Sequence, residues 1–158
     1  MGKLYTVPFV EVAVTAAQDF FEITAPATRV LVVHQLELAQ STEVGDAAEE
    51  MLPITIRRGT SGTTSGSGGS SVTPAPLEAN AGAAAFTAEA NNTTVMTSGT
   101  ITTLVATGWN VRAVPTTWLW SPETRPLVSP SERLVVRLGA APADSVTVSG
   151  TLWVEEIG

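Results

Sequence analysis

Two alternating stretches near the C-terminus constrain the fold of this 158-residue chain most strongly. Residues 132–138 and 144–156 alternate apolar and polar side chains at the two-residue period of a β-strand. The apolar positions are Leu134, Val136 and Leu138 in the first stretch and Val146, Val148, Leu152 and Val154 in the second. The short connector 139–143 contains Gly139 and Pro142, which break strands, so an antiparallel hairpin is predicted. We therefore expect an all-β chain.

The N-terminal part supplies three further strand candidates, at residues 4–15, 19–25 and 28–38. In the first, Val10, Val12 and Val14 are predicted to share one face. The third carries apolar side chains on both faces, as expected for a central strand. Apolar side chains that a single chain leaves uncovered would pack against other copies of the chain. We therefore expect a symmetric homo-oligomer, in the favoured form a trimer. A monomer is the alternative if both faces are buried internally.

The middle of the chain consists of short candidates separated by turn residues. Residues 41–50 contain the one plausible helical turn, and Leu52, Ile54 and Ile56 indicate a strand that ends at Gly59. Weaker candidates follow at 83–90 and 93–96, and a better pair at 101–107 and 109–114, where Gly108 indicates a bulge or turn. Strands of this length and spacing favour a single-domain, antiparallel two-sheet β-sandwich of a jelly-roll-like kind.

The tract 60–73 is composed almost entirely of glycine, serine and threonine. Such a composition offers little apolar area to offset the entropy of ordering. Unstructured loops of this length are uncommon inside compact domains and are often functional or mobile. The tract is therefore predicted to be a flexible, exposed loop or arm within the single domain 1–158.

Composition excludes several classes of function. The chain has no cysteine, which excludes disulfides and thiolate metal sites. Its formal net charge of −7 disfavours binding to nucleic acid or to an anionic membrane. No apolar run approaches the roughly 20 residues of a membrane-spanning helix, and the N-terminus lacks the pattern of a secretory signal. We expect a soluble protein that binds neither nucleic acid nor membrane.

No residues form a catalytic, cofactor or metal motif. His34, the one histidine, lies in line with Val32 and Leu36 and is expected to be structural. The glycine-rich tract lacks the spacing of a nucleophile elbow or a phosphate loop. Glu43, Asp46, Glu49 and Glu50 could supply oxygen ligands to calcium, but their spacing does not match the twelve-residue calcium loop, so a solvated acidic turn is favoured. We expect no enzyme activity, no cofactor and no metal.

Four residues are candidates for binding a partner. Arg57 and Arg58 are most simply a charged strand end, although arginines can also pair with a partner's carboxylates. Trp118 and Trp120 are two residues apart, so on an extended chain they point the same way. They could stack on a sugar or on a neighbouring subunit, and the simpler alternative is that one or both cap the core.

Three segments carry a resemblance to a known class of protein. They are residues 43–52, residues 57–59 with the following Gly/Ser tract, and residues 129–138 followed by Ser149-Gly150-Thr151-Leu152. Together they resemble small β-sandwich structural proteins of tailed bacteriophages. The resemblance implies a capsid decoration or cement protein, which binds the major capsid protein across subunit junctions and commonly forms trimers.

The resemblance therefore implies a location on the capsid surface of a virion assembled in the host cytoplasm. Two alternatives remain. One is a tail or head-fibre module that recognises cell-surface glycans through exposed aromatic side chains. The other is a soluble bacterial binding module unrelated to phage.

Overall fold

The computed structural model describes residues 2–42, 50–112 and 115–158, and these residues form twelve β-strands without a helix. The strands are β1 (Lys3–Val14), β2 (Gln18–Thr24), β3 (Val30–Gln40), β4 (Met51–Gly59), β5 (Ser70–Val72), β6 (Ala75–Pro76), β7 (Thr87–Asn92), β8 (Ile101–Asn110), β9 (Thr116–Leu119), β10 (Leu127–Val128), β11 (Arg133–Leu138) and β12 (Val146–Ile157). The all-β prediction is confirmed. Of the predicted helical turn, residues 43–49 lie outside the described residues. The described part of the chain contains no helix that could cross a membrane.

The strands form two antiparallel sheets that enclose one core. Sheet I has the order β10-β3-β12-β1-β6, with β9 also paired to β3, and sheet II has the order β5-β7-β2-β11-β4-β8. The pairings are nested: β1 pairs with β12, β2 with β11, β3 with β9 and β10, and β4 with β8. A long antiparallel hairpin rolled into two sheets has this connectivity, which is that of a jelly roll. The predicted two-sheet sandwich is confirmed.

The predicted C-terminal hairpin is wrong. Strand β11 pairs with β2 and β4 in sheet II, whereas β12 pairs with β1 and β3 in sheet I. The Gly/Pro connector therefore crosses from one sheet to the other, over the roughly 10 Å that separates packed sheets. Alternation correctly indicated the two strands and their buried faces, but it carries no information about which strands pair.

The core lies between the inner faces of the two sheets. Leu134, Val136 and Leu138 from β11 and Val148, Leu152 and Val154 from β12 are fully buried, as predicted. An aromatic cluster fills the centre, where the ring of Phe9 lies 5.9 Å from that of Phe20 and 5.1 Å from that of Phe21. Gly150 makes room for this cluster, because a Cβ there would lie 2.8 Å from Phe9 Cε1.

Two β-bulges in sheet I change which residues face the core. In β1 the register with β12 shifts between Phe9 and Val12, and Glu11 adopts a positive φ of 50°. Val10 consequently points to solvent with 73% exposure and does not share the face of Val14, which corrects the prediction. In β3 the extra residue is His34, so Leu31 and Val33 before it and Leu36 and Leu38 after it all face the core.

The prediction of two strands at 101–107 and 109–114 is also wrong. Residues 101–110 form the single strand β8, which continues through Gly108, and the register shift lies at Leu104. The weak candidates 83–90 and 93–96 are replaced by β7, which continues through Asn91, at a positive φ of 60°, to Asn92, whose partner in β2 is Asp19. Residues 113 and 114 lie outside the described residues.

The Gly/Ser tract is folded onto sheet II, which differs from the predicted flexible arm. Thr64 forms a bridge with Thr97 and Ser67 with Thr94, and residues 70–72 form β5. Residues 60–69 and 93–100 therefore make a two-stranded cover over the outer face of sheet II, which we call the cover ribbon. Its binding partners, Asp19 and Glu22, are more than 35 residues away in sequence, and composition alone does not reveal them.

Candidate interaction surface

The outer face of sheet I is uncovered by any other described element, and we call it the open face. Its side chains are aligned in cross-strand rows set by the register of β9, β3, β12 and β1. One row is Leu119, Gln35, Trp153 and Thr6, and the next is Thr117, Glu37, Thr151 and Pro8. A third row is Leu127, Val32, Glu155 and Leu4. The face thus mixes aliphatic, aromatic and uncharged polar groups with two glutamates.

Several apolar side chains on the open face are strongly exposed. Leu119 is 74% exposed, Val10 is 73% exposed and Leu127 is 50% exposed. The bulge at Val10 borders a shallow depression of about 190 Å³, which is also lined by Glu37, Ala39 and Gly150. Singly exposed apolar residues are ordinary on a protein surface, but a contiguous patch of them is typical of an interaction site.

His34 lies at the bulge that borders the open face. Its Nε2 atom is 2.8 Å from Glu155 Oε2, and both side chains are partly buried. The backbone carbonyl of His34 also accepts a hydrogen bond from the Trp120 amide. The ring therefore holds β3 to β12 where the ladder is irregular, an arrangement that fits the structural role expected from the sequence.

Trp118 and Trp120 are both turned toward the core. Trp118 pairs with Leu36, a residue of the inner face, and both indoles pack against the buried cluster while keeping part of their surface exposed. Leu119 between them points the opposite way. This placement matches the alternative in which the two tryptophans cap the core, and the aromatic side chain on the open face is Trp153.

Arg57 and Arg58 do not form one patch. Arg57 points to the outer side of sheet II, where its Nε donates to Thr103 Oγ1 at 3.3 Å. Arg58 pairs with Leu134 of the inner face and lies at the end of the sandwich, with its Nε 3.7 Å from Glu132 Oε2. Adjacent strand residues alternate faces, which already argued against a joint site.

The outer face of sheet II, in contrast, is closed by the cover ribbon over two buried ion pairs. Asp19, with no exposed surface, receives Arg137 Nε at 2.6 Å and the amide of Met96 at 2.7 Å. Glu22 accepts hydrogen bonds from Ser65 Oγ at 2.6 Å and Gly66 N at 2.9 Å, and Arg133 Nε lies 3.3 Å away. These contacts satisfy the carboxylates within the fold, so they hold the ribbon down and leave no free acid for chemistry.

A third buried carboxylate, Glu156, fastens the segment before β7 to the end of β12. Its Oε1 receives Arg29 Nη1 at 2.6 Å, and its Oε2 accepts the amides of Ala85 at 2.7 Å and Phe86 at 3.2 Å. The phenol of Tyr5 is buried beside this group. Burial, and secondarily the charge of Glu156, raise the pKa of Tyr5 above its usual 10.0, with Arg29 acting in the opposite direction.

We expect Tyr5 to titrate at higher pH in the folded protein than in the unfolded chain. A raised folded-state pKa means that the folded state holds the proton longer, so the stability from this group is complete below pH 10.0 and is lost as pH rises through the folded-state pKa. Since the chain has one tyrosine, ultraviolet absorbance of tyrosinate reports this residue alone. Equal titration midpoints with and without denaturant would contradict the expectation. The Tyr5→Phe variant, which contains no tyrosine, supplies the background absorbance.

The described residues contain no group of three or more histidine, cysteine, aspartate or glutamate side chains arranged to hold a metal ion. Of the acidic residues considered for calcium, Glu43, Asp46 and Glu49 lie outside the described residues. Glu50 is described, and its Oε1 accepts the amide of Ala143 at 2.7 Å. The calcium hypothesis thus gains no support from Glu50, whose carboxylate joins two loops.

Trp153, Leu119 and Val10 are not among the residues that the sequence pattern predicts to bind a partner. Trp153 could have been found, because it alternates with Leu152 and Val154, which were assigned to the core. Val10 could not have been found, since the bulge at Glu11 has no clear signal in the sequence.

Comparison of the chain with protein-family models, with curated proteins and with solved structures finds no match.

Proposed function

We propose that this protein is a non-enzymatic structural component of a bacteriophage virion, a capsid decoration or cement protein. In this proposal the open face of sheet I binds the major capsid protein across subunit junctions on the outer surface of the head. The observation that carries the proposal is the difference between the two outer faces. One is closed by the cover ribbon over paired charges, whereas the other exposes Leu119 and Val10 strongly and Trp153 in part.

Physical considerations support a protein partner for this face. Interfaces derive most of their affinity from a few apolar or aromatic side chains that become buried, surrounded by polar groups that exclude water. Thr6, Thr117 and Thr151 lie among the apolar side chains of the open face and can donate or accept hydrogen bonds there. The class of partner comes from the resemblance of the sequence to phage structural proteins.

The alternative, a glycan-binding tail or fibre module, is favoured by one observation. Trp153 lies on the open face beside Gln35 and Thr6, and an aromatic ring flanked by amide and hydroxyl groups can stack on a sugar. The two tryptophans first considered for that role are turned toward the core. The alternative therefore rests on Trp153 and not on Trp118 or Trp120.

Leu119→Glu is expected to lower occupancy on phage particles about tenfold while leaving the fold intact. The side chain is exposed in the isolated protein, so the change costs little stability, but a carboxylate buried in the interface would lose hydration without a partner. Occupancy is measured as copies per purified particle, alongside the melting temperature of the free protein. Met51→Glu, at a position 62% exposed in β4 of sheet II and therefore outside the open face, is the matched control.

Equal occupancy for the parent and the Leu119→Glu variant would contradict the role of the open face. Presence of the protein at the tail tip, together with glycan binding that Trp153→Ala abolishes, would replace the decoration proposal with the receptor-binding alternative. Location around the head in many copies would support decoration.

A further inference from the structure

The edges of the two sheets differ in how they are protected. Sheet I ends in β6, which has two residues including Pro76, and on its other side in β9 and β10, which have four and two residues. Sheet II ends on one side in the three-residue β5. Its other edge is β8, which has ten residues and pairs among the described strands with β4 alone. Short strands and proline are ordinary means of protecting an edge, and β8 has neither.

Strand β8 also lacks the charges that usually prevent edge-to-edge association. Its sequence, Ile-Thr-Thr-Leu-Val-Ala-Thr-Gly-Trp-Asn, contains no charged residue and no proline, in a chain of net charge −7. Residues 102–104, 106 and 108 are exposed. The bulge at Leu104 interrupts the strand, but residues 105–110 run on without a register shift. This segment presents unpaired backbone groups in a regular array, which is a template for another strand.

We propose that two copies of this chain pair antiparallel along residues 105–109 of β8, about a two-fold axis at Thr107. The axis is perpendicular to sheet II, so the inner faces of both copies of sheet II lie on the same side of the joint sheet. Each residue of one β8 must therefore oppose a residue of the other β8 whose side chain faces the same way. With Thr107 on the axis, it opposes its own copy, Val105 opposes Trp109, and Ala106 opposes Gly108. The two copies of sheet II then form one continuous sheet.

This register is chemically self-complementary. Threonine opposite threonine is a favourable cross-strand pair. Val105 opposes Trp109 twice by symmetry, and although the Trp109 ring is buried in its own core, this pairing places only apolar residues beside Thr107 on the inner side of the shared edge. Ala106 and Gly108 are small, so nothing on the outer face prevents close approach of the strands. A second copy fits better than a charged partner strand, because no side chain of β8 could pair with a charge on that strand.

The two-fold pairing is independent of the capsid proposal and differs from the trimer predicted from the sequence. That prediction rested on apolar residues on both faces of β3, but Leu31, Val32, Val33, Leu36 and Leu38 are buried within the single chain. The bulge at His34 turns four of them inward. The unprotected edge of β8 therefore replaces the faces of β3 as the basis for self-association.

Light scattering over a range of protein concentrations is expected to give twice the chain mass of 16.4 kDa at high concentration. Ala106→Lys should weaken the dimer at least tenfold, since it places two lysines near the axis and replaces a small side chain on the shared edge. Ser71→Lys adds the same charge to the opposite edge of the same sheet and should leave the dimer unchanged. A parent protein monomeric at every concentration, or a dimer equally stable in both variants, would overturn the proposal.

A cysteine cross-link tests the register separately. Directly opposed residues of antiparallel strands have Cα atoms about 4.5 to 5.5 Å apart, within the range that a disulfide can bridge. Since the chain has no cysteine, Thr107→Cys should form a covalent dimer under mild oxidation, while Ser71→Cys should remain largely monomeric. Cross-linking of the two variants at the same rate would indicate random collision and would count against the two-fold pairing.

Discussion

Replacing Arg137 with methionine is expected to lower the free energy of unfolding by about 3 to 5 kcal/mol. The guanidinium lies against Asp19, with Nε 2.6 Å from Oδ1 and Nη2 3.2 Å from Oδ2, and it also donates to the carbonyl of Met96. Asp19 has no exposed surface, so the substitution leaves a buried carboxylate without its counter-ion. Urea denaturation of the purified variant measures the loss.

The matched control is Arg58→Met, which removes a partly exposed arginine 3.7 Å from Glu132. Exposed ion pairs contribute about 0 to 1 kcal/mol, so this variant should lie near the parent. Removing both partners of the buried pair, as in Asp19→Leu with Arg137→Met, should recover part of the loss, because no uncompensated charge remains. A loss below about 1 kcal/mol for Arg137→Met would show that water reaches Asp19 despite the cover ribbon.

Deleting residues 63–68 is expected to destabilise the protein by more than about 3 kcal/mol, and the variant is expected to unfold at a much lower temperature. The deletion removes the Ser65 and Gly66 donors to the buried Glu22 carboxylate and the Thr63 oxygens that accept from Arg133. If the tract were a flexible arm, shortening it would change loop-closure entropy by only about 0.6 kcal/mol. Thermal and urea unfolding distinguish these outcomes.

Two glycines in the same tract provide a point-substitution test. At Gly66 a Cβ would lie 2.7 Å from the Thr94 carbonyl oxygen, whereas at Gly62 it would meet nothing within 4 Å. Gly66→Ala should therefore cost about 1 to 3 kcal/mol, and Gly62→Ala should be neutral or slightly stabilising. Equal effects at the two positions would show that the cover ribbon is not packed on sheet II as described.

The alternation of apolar residues was sufficient to predict the fold class and most strands. It failed where the backbone departs from regular pleating, as at Glu11 and His34, because one extra residue reverses the face of everything that follows. The pairing of β11 and β12 was mispredicted for a different reason. Proximity in sequence favours a hairpin, but the nested arrangement assigns β11 and β12 to opposite sheets.

The candidate interaction surface is harder to locate from the sequence than the fold. Arg57 and Arg58 were considered together because they are adjacent in sequence, although strand geometry places them on opposite faces. The Gly/Ser tract was interpreted as mobile from its own composition, whereas its order depends on Asp19 and Glu22 in β2. Contacts of this kind join distant parts of the chain, and no local pattern indicates them.

The nested strand order also has a consequence for the order in which the chain can fold during synthesis. Strand β12 lies between β1 and β3, and β11 lies between β2 and β4, so the central strands of both sheets belong to the last part of the chain. An N-terminal segment emerging from the ribosome has the strands that flank β11 and β12 but lacks these two strands, which join them. The two sheets therefore cannot be completed until β11 and β12 have been translated, which predicts slow folding and a nascent chain that depends on chaperones to protect its unpaired strands.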